Sequence, residues 1–90
     1  MGAPLTGLKS EDDKRRLFLV TAEDTPDALM RVLGVASVQQ VRLRALTAHP
    51  DGADISIRLE IDDQGEARAQ VLAARLASVP AVRGVGHGWR

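Results

Sequence analysis

The sequence predicts an α+β fold, a four-stranded antiparallel sheet with two helices on one face, in the order β-α-β-β-α-β. Three observations carry it. Residues 26–36 and 66–79 place apolar side chains at helical spacing, residues 55–61 alternate strictly, and an Asp51-Gly52 step separates two alternating segments. Ninety residues fit one small domain. Residues 1–14 read as a disordered lead or linker, and residues 15–90 as the folded domain.

The lead is broken by Gly2, Pro4 and Gly7 and carries the polar run Ser10-Glu11-Asp12-Asp13-Lys14. It shows neither a helical nor a strand period. Residues 15–22 form the first strand. Leu17 and Leu19 point one way, Phe18 and Val20 the other, as expected of a strand covered on both sides. Glu23-Asp24-Thr25-Pro26 stops the sheet. Asp24 or Thr25 is expected to cap the helix, with Pro26 in its first position. Ala28, Leu29, Val32, Leu33 and Ala36 form the buried stripe, and the helix ends between Gly34 and Ser37.

Within residues 38–48, Val41, Leu43 and Ala45 share one face of a strand, and Arg42 and Arg44 the other. Residues 49–54 are a turn cluster with a strong hairpin signal. Ile55, Ile57, Leu59 and Ile61 then alternate with Ser56, Arg58 and Glu60. Asp62-Asp63-Gln64-Gly65 breaks this strand. Residues 66–78 form the second helix, with Ala69, Leu72, Leu76 and Val79 on its stripe, and Pro80 ends it. Residues 81–85 form a short last strand, and Gly84, Gly86 and Gly88 loosen the tail before Trp89. Two right-handed crossovers joined by the hairpin give the strand order 4-1-3-2. This is the ferredoxin-like arrangement. It is expected to leave Phe18 and Val20 on the open face, near Arg58 and Arg42 or Arg44.

Composition excludes more than it specifies. Twelve basic residues balance twelve acidic ones, against the basic excess of a nucleic-acid binder. Without cysteine there is no disulfide, zinc-thiolate site or thiol catalysis. Phe18 and Trp89 are the only aromatic residues, so the third strand offers no base-stacking ring. The largely apolar stretch at residues 17–22 falls far short of the roughly 20 residues of a membrane span. His49 and His87 stand alone in a hairpin and a tail, and no metal site or cofactor is expected from them. Asp62, Asp63 and Glu66 could touch magnesium, but they read more simply as an acidic helix start. Ser10, Ser37, Ser56 and Ser78 have no triad-like spacing, so no catalytic residue is assigned.

Leu17-Phe18-Leu19-Val20 followed by Asp24-Thr25-Pro26-Asp27-Ala28-Leu29 resembles the opening of an ACT domain, an apolar strand and then Asp-x-Pro-Gly-x-Leu. The resemblance implies the same β-α-β-β-α-β order and a regulatory, non-catalytic role. Many such domains pair through their sheets and bind an amino acid. Here the implied ligand loop is Asp24, Thr25, Pro26 and Asp27. Asp27 stands where the motif has glycine, and its carboxylate would crowd and repel that of an amino acid. The run from Ala74 to Val85, closing on Trp89, resembles the C-terminal domain of MgtC/SapB-type membrane proteins. That likeness implies a soluble, cytosolic domain of a membrane-embedded parent, linked to growth at low magnesium and survival inside host cells. It would act by contact with a protein partner or with itself, through Phe18, Val20 and Arg58. The alternative is amino-acid sensing for a metabolic enzyme or transporter.

Overall fold

A computed structural model describes residues 14–89, so the expected lead over residues 1–14 lies outside the described residues, Lys14 excepted. The elements follow the expected order: β1 (Arg15–Glu23), α1 (Ala28–Val38), β2 (Leu43–Asp51), β3 (Asp54–Asp62), α2 (Glu66–Ala77) and β4 (Val82–Trp89). The antiparallel sheet has the order β2-β3-β1-β4, with β1 and β3 central.

Phe18, Val20, Ile57, Leu59 and Ile61 of the sheet pack with Val32, Ala69, Leu72 and Leu76 of the helices into one core. This corrects the facing of β1. Phe18 and Val20 are almost fully buried and look towards the helices, whereas Leu19 is 48% exposed on the open face. Register fixes the result, because Phe18 stands opposite Leu59 and Val20 opposite Ile57, both on the helix side. Arg58 does lie on the open face, opposite Leu19.

The helix stripes fall where their spacing puts them. Ala28, Val32 and Ala36 are buried on α1, with Leu29 and Leu33 packed against the core. The start of α1 differs from expectation. Thr25-Pro26-Asp27 forms a turn in which the Ala28 amide donates to the Thr25 carbonyl at 3.2 Å. The Thr25 hydroxyl is turned to Asp27 at 3.1 Å, so no side chain caps the free amides and Pro26 precedes the helix. At the other end Gln40 adopts a left-handed φ of 57°. Its amide donates to the Ser37 carbonyl and that of Val41 to Ala36, at 3.0 and 3.3 Å. This paired closure usually uses glycine.

β2 carries a bulge between Leu43 and Ala45. Leu43 therefore pairs with helix-facing Ile61 and Ala45 with open-face Glu60, so the two do not share a face. An extra residue in one strand shifts the two-residue period by one. The strands extend to Asp51 and Asp54, leaving Gly52 and Ala53 as the loop, with Gly52 at a φ of 66°. β4 runs to Trp89, past the expected end at residue 85. Its glycine-rich tail is held by β1, with Leu17, Leu19 and Thr21 opposite Gly88, Gly86 and Gly84.

Candidate functional site

The open sheet face is built from alternate residues of the two central strands and β4. Leu17 and Leu19 project from β1, Arg58 and Glu60 from β3. On their β4 side the register places three glycines, so no side chain flanks the leucines there. The result is a shallow apolar cavity of about 270 Å³ lined by Leu17, Leu19, Gly86, His87 and Gly88. A Cβ at Gly84, Gly86 or Gly88 would meet no atom within 4 Å, and none of the three has an unusual φ. Folding of this chain does not ask for glycine at these positions; what glycine provides there is open space. Glu60 pairs with Arg15 at 3.6 Å and with Arg58 at 3.7 Å, which leaves a charged border beside the apolar strip.

The expected ligand loop lies at the far end of β1. Asp24, Thr25, Pro26 and Asp27 are all exposed. A cavity of about 360 Å³ there is lined by Glu23, Thr25, Asp27, Arg31, Pro80 and Ala81, without Asp24 or Pro26. Asp27 accepts from the Thr25 hydroxyl at 3.1 Å and from Arg31 Nε at 2.9 Å. These bonds, Arg31's first, hold its carboxyl below the usual range. The groups that would greet an amino acid's carboxylate are thus already bound to a carboxylate of the chain itself.

The acidic start of α2 is occupied differently from the magnesium reading. Asp62 takes both Nε and a terminal nitrogen of Arg44, at 2.8 and 2.9 Å. Asp63 and Glu66 accept from Arg16 at 2.9 and 2.6 Å. Arg16 is 4% exposed, and its guanidinium lies 4.0 Å from the centre of the Trp89 ring. Each carboxylate is therefore neutralised by an arginine, which a cation would have to displace. Among the described residues no group of three or more His, Cys, Asp or Glu is placed to hold a metal.

Sequence reasoning missed Leu17, Leu19 and the role of the β4 glycines. The signal was present in the residues after the apolar run. Thr21 and Glu23 continue the Leu17 and Leu19 face as polar positions, while Ala22 continues the Phe18 and Val20 face as an apolar one. Arg16 had no such signal, because its partners are 47 and 50 residues away.

Among solved structures, the chain is similar to the ACT domain of GTP pyrophosphokinase from Chlorobium tepidum. The TM-score is 0.73 at 18% identity, covering 82% of this chain and 96% of that one. It is also similar to the C-terminal domain of the MgtC protein from Mycobacterium tuberculosis, with a TM-score of 0.70 at 21% identity, covering 86% and 87%. A homoserine dehydrogenase from Thiobacillus denitrificans matches with a TM-score of 0.71 at 16% identity, over 84% of this chain but 17% of that enzyme. At these identities the likenesses show the fold. No curated protein sequence matches the chain. The ACT-like domain family model, however, matches residues 9–87, nearly the whole length, and so the chain belongs to the ACT-like domain family.

Proposed function

We propose that this ACT-like domain is non-catalytic and regulates by contact, docking through its open sheet face onto a second copy of itself or onto a protein partner. The observation that carries this reading is Leu19, 48% exposed in a central strand beside the side-chain-free strip of β4. An apolar side chain left wet at the centre of a sheet gains when covered, at roughly 25 cal/mol per Å² of apolar surface removed from water. Sedimentation tests the self-association arm. The chain is expected to sediment as a dimer, and Leu19→Asp as a monomer with an unchanged circular dichroism spectrum. A monomeric parent at high concentration removes self-association.

At a finer level, we read the chain as the cytosolic C-terminal domain of an MgtC-type membrane protein tied to low-magnesium growth and intracellular survival. Support comes from the matching extent of the MgtC C-terminal domain, 87% of which is covered. Among the described residues no helix is long and apolar enough to cross a membrane. The reading requires several apolar segments of about 20 residues encoded upstream of residue 1. An upstream reading frame without them ends it.

A second reading, amino-acid sensing, is favoured by the cavity beside Thr25 and Asp27. Titration with free amino acids, followed by amide chemical shifts, should then move residues 23–28. Silence there favours the contact domain.

A further inference from the structure

The helix layer carries a concavity of its own, on the side away from the open sheet face. A cavity of about 550 Å³ between α1 and the end of α2 is lined by Gly34, Val35, Val38 and Val79, together with Arg31 and Arg75. That volume falls within the roughly 300–1,000 Å³ of small-molecule sites.

Two features of this lining bear on what it could hold, although Arg75 also suits the negative end of α2, in whose last turn it lies. Gly34 sits within α1, where alanine would make a better helix. A Cβ there would meet no atom within 4 Å, and its φ is not of the kind that favours glycine. Glycine at 34 serves neither the backbone nor internal packing, but it keeps the space between the helices free. Arg75 makes no ion pair among the described residues, while Arg31 is bound to Asp27 at 2.9 Å. The cavity thus joins valine side chains, one of them 72% exposed at Val38, to an arginine whose side chain has no partner among the described residues.

We propose that this cavity binds an apolar monocarboxylate. Its hydrocarbon part lies over Gly34 against Val35, Val38 and Val79, and its carboxylate meets Arg75. The guanidinium fork matches a carboxylate through two parallel hydrogen bonds. A neutral hydrocarbon leaves that fork unused.

The test uses the 90-residue chain, ¹⁵N-labelled, titrated with octanoate and separately with octanol. Octanoate is expected to give saturable amide shifts confined to residues 31–38 and 75–79, with octanol about tenfold weaker. Arg75→Gln should reduce octanoate affinity to the level of octanol and leave octanol unchanged. Gly34→Leu fills the space and should abolish both while helicity persists. Several results overturn the proposal. These are absence of saturable shifts, shifts centred on Leu17 and Leu19, an octanoate affinity indifferent to Arg75→Gln, or a folded Gly34→Leu variant that binds unchanged. Docking by the sheet face is read separately by sedimentation of Leu19→Asp, so the two ideas stand or fall apart.

Discussion

Arg16 is a charged side chain on the apolar face of a central strand, with 5% of its side chain exposed. Isolated burial of that charge would be prohibitive. Glu66 and Asp63 meet it at 2.6 and 2.9 Å, and Trp89 stacks over the guanidinium at 4.0 Å. The Glu66 bond, followed by that of Asp63, raises the arginine further above its already high range against the opposing effect of burial. Both acids are held below their ordinary values, Asp63 chiefly by the Gly65 amide and then Arg16, Glu66 chiefly by Arg16. Arg16→Met keeps most of the stem and removes the fork. It is expected to destabilise by about 1–3 kcal/mol in urea unfolding, because both acids keep partial access to water. Gln40 offers the opposite case. Its φ of 57° is strained for a residue with a side chain, and that side chain is exposed. Gln40→Gly should raise stability by about 0.5–1 kcal/mol, seen as a higher melting temperature.

At the scale of elements, the turn into α2 depends on Gly65, whose φ of 99° and ψ of 159° suit glycine alone. That conformation delivers its amide to Asp63 at 3.0 Å, so the same carboxylate closes the turn and meets Arg16. Gly65→Ala is expected to cost about 1–3 kcal/mol in chemical unfolding. The glycines of β4 behave differently, because their backbone is ordinary and the space above them open. Gly86→Val should leave stability unchanged or raise it by up to about 1 kcal/mol, since valine suits a strand better. The same substitution fills the strip beside Leu19 and should abolish the proposed dimer in sedimentation. A loss of fold in place of a loss of association would mean that the strip serves packing within the chain.

For the molecule as a whole, the decisive contrast is between neighbours in β1. Phe18→Ala should destabilise by about 3–5 kcal/mol, much of the stability of a small domain. Leu19→Ala should stay within about 0.5 kcal/mol in the monomer. Equal effects on unfolding would reverse the facing of the strand. Acid stability follows from the arginine-paired carboxylates. Asp27, Asp62, Asp63 and Glu66 all have lowered values in the fold, from ordinary ones of 3.8 and 4.5. Their stabilisation is complete above those ordinary values and is lost as pH falls through the lower folded ones. Unfolding measured from pH 6 down to pH 2 should therefore show a steep loss, roughly below pH 4.5, and a shallower one in Arg16→Met.

Element identity and order were legible in the chain because they rest on local periodicity. The alternation from Ile55 to Ile61 and the spacing of Val32, Ala36, Ala69, Leu72 and Leu76 are properties of neighbours in sequence, and from Ile57 onwards the strand's burial alternates with them, as the helix stripes are buried. The facing of β1 was less legible. Four consecutive apolar residues fit either side of a sheet; Thr21, Ala22 and Glu23 carry a short signal of the facing, and the register with Ile57 and Leu59 fixes it. The extent of β4 was not legible at all, since alternate glycines have no strand preference of their own and become a strand by hydrogen bonding to β1.

By itself, then, the sequence determined two helices, four strands and their order, together with the absence of thiol chemistry and of a base-stacking ring on the third strand. Tertiary structure decided which leucines stay wet, where a glycine strip borders them, and that Arg16 draws Asp63 and Glu66 together from 47 and 50 residues away. The physical reason is range. Turns and periodicity act over a few residues, whereas facing, strand length and ion pairing are settled by partners that only the folded sheet brings near.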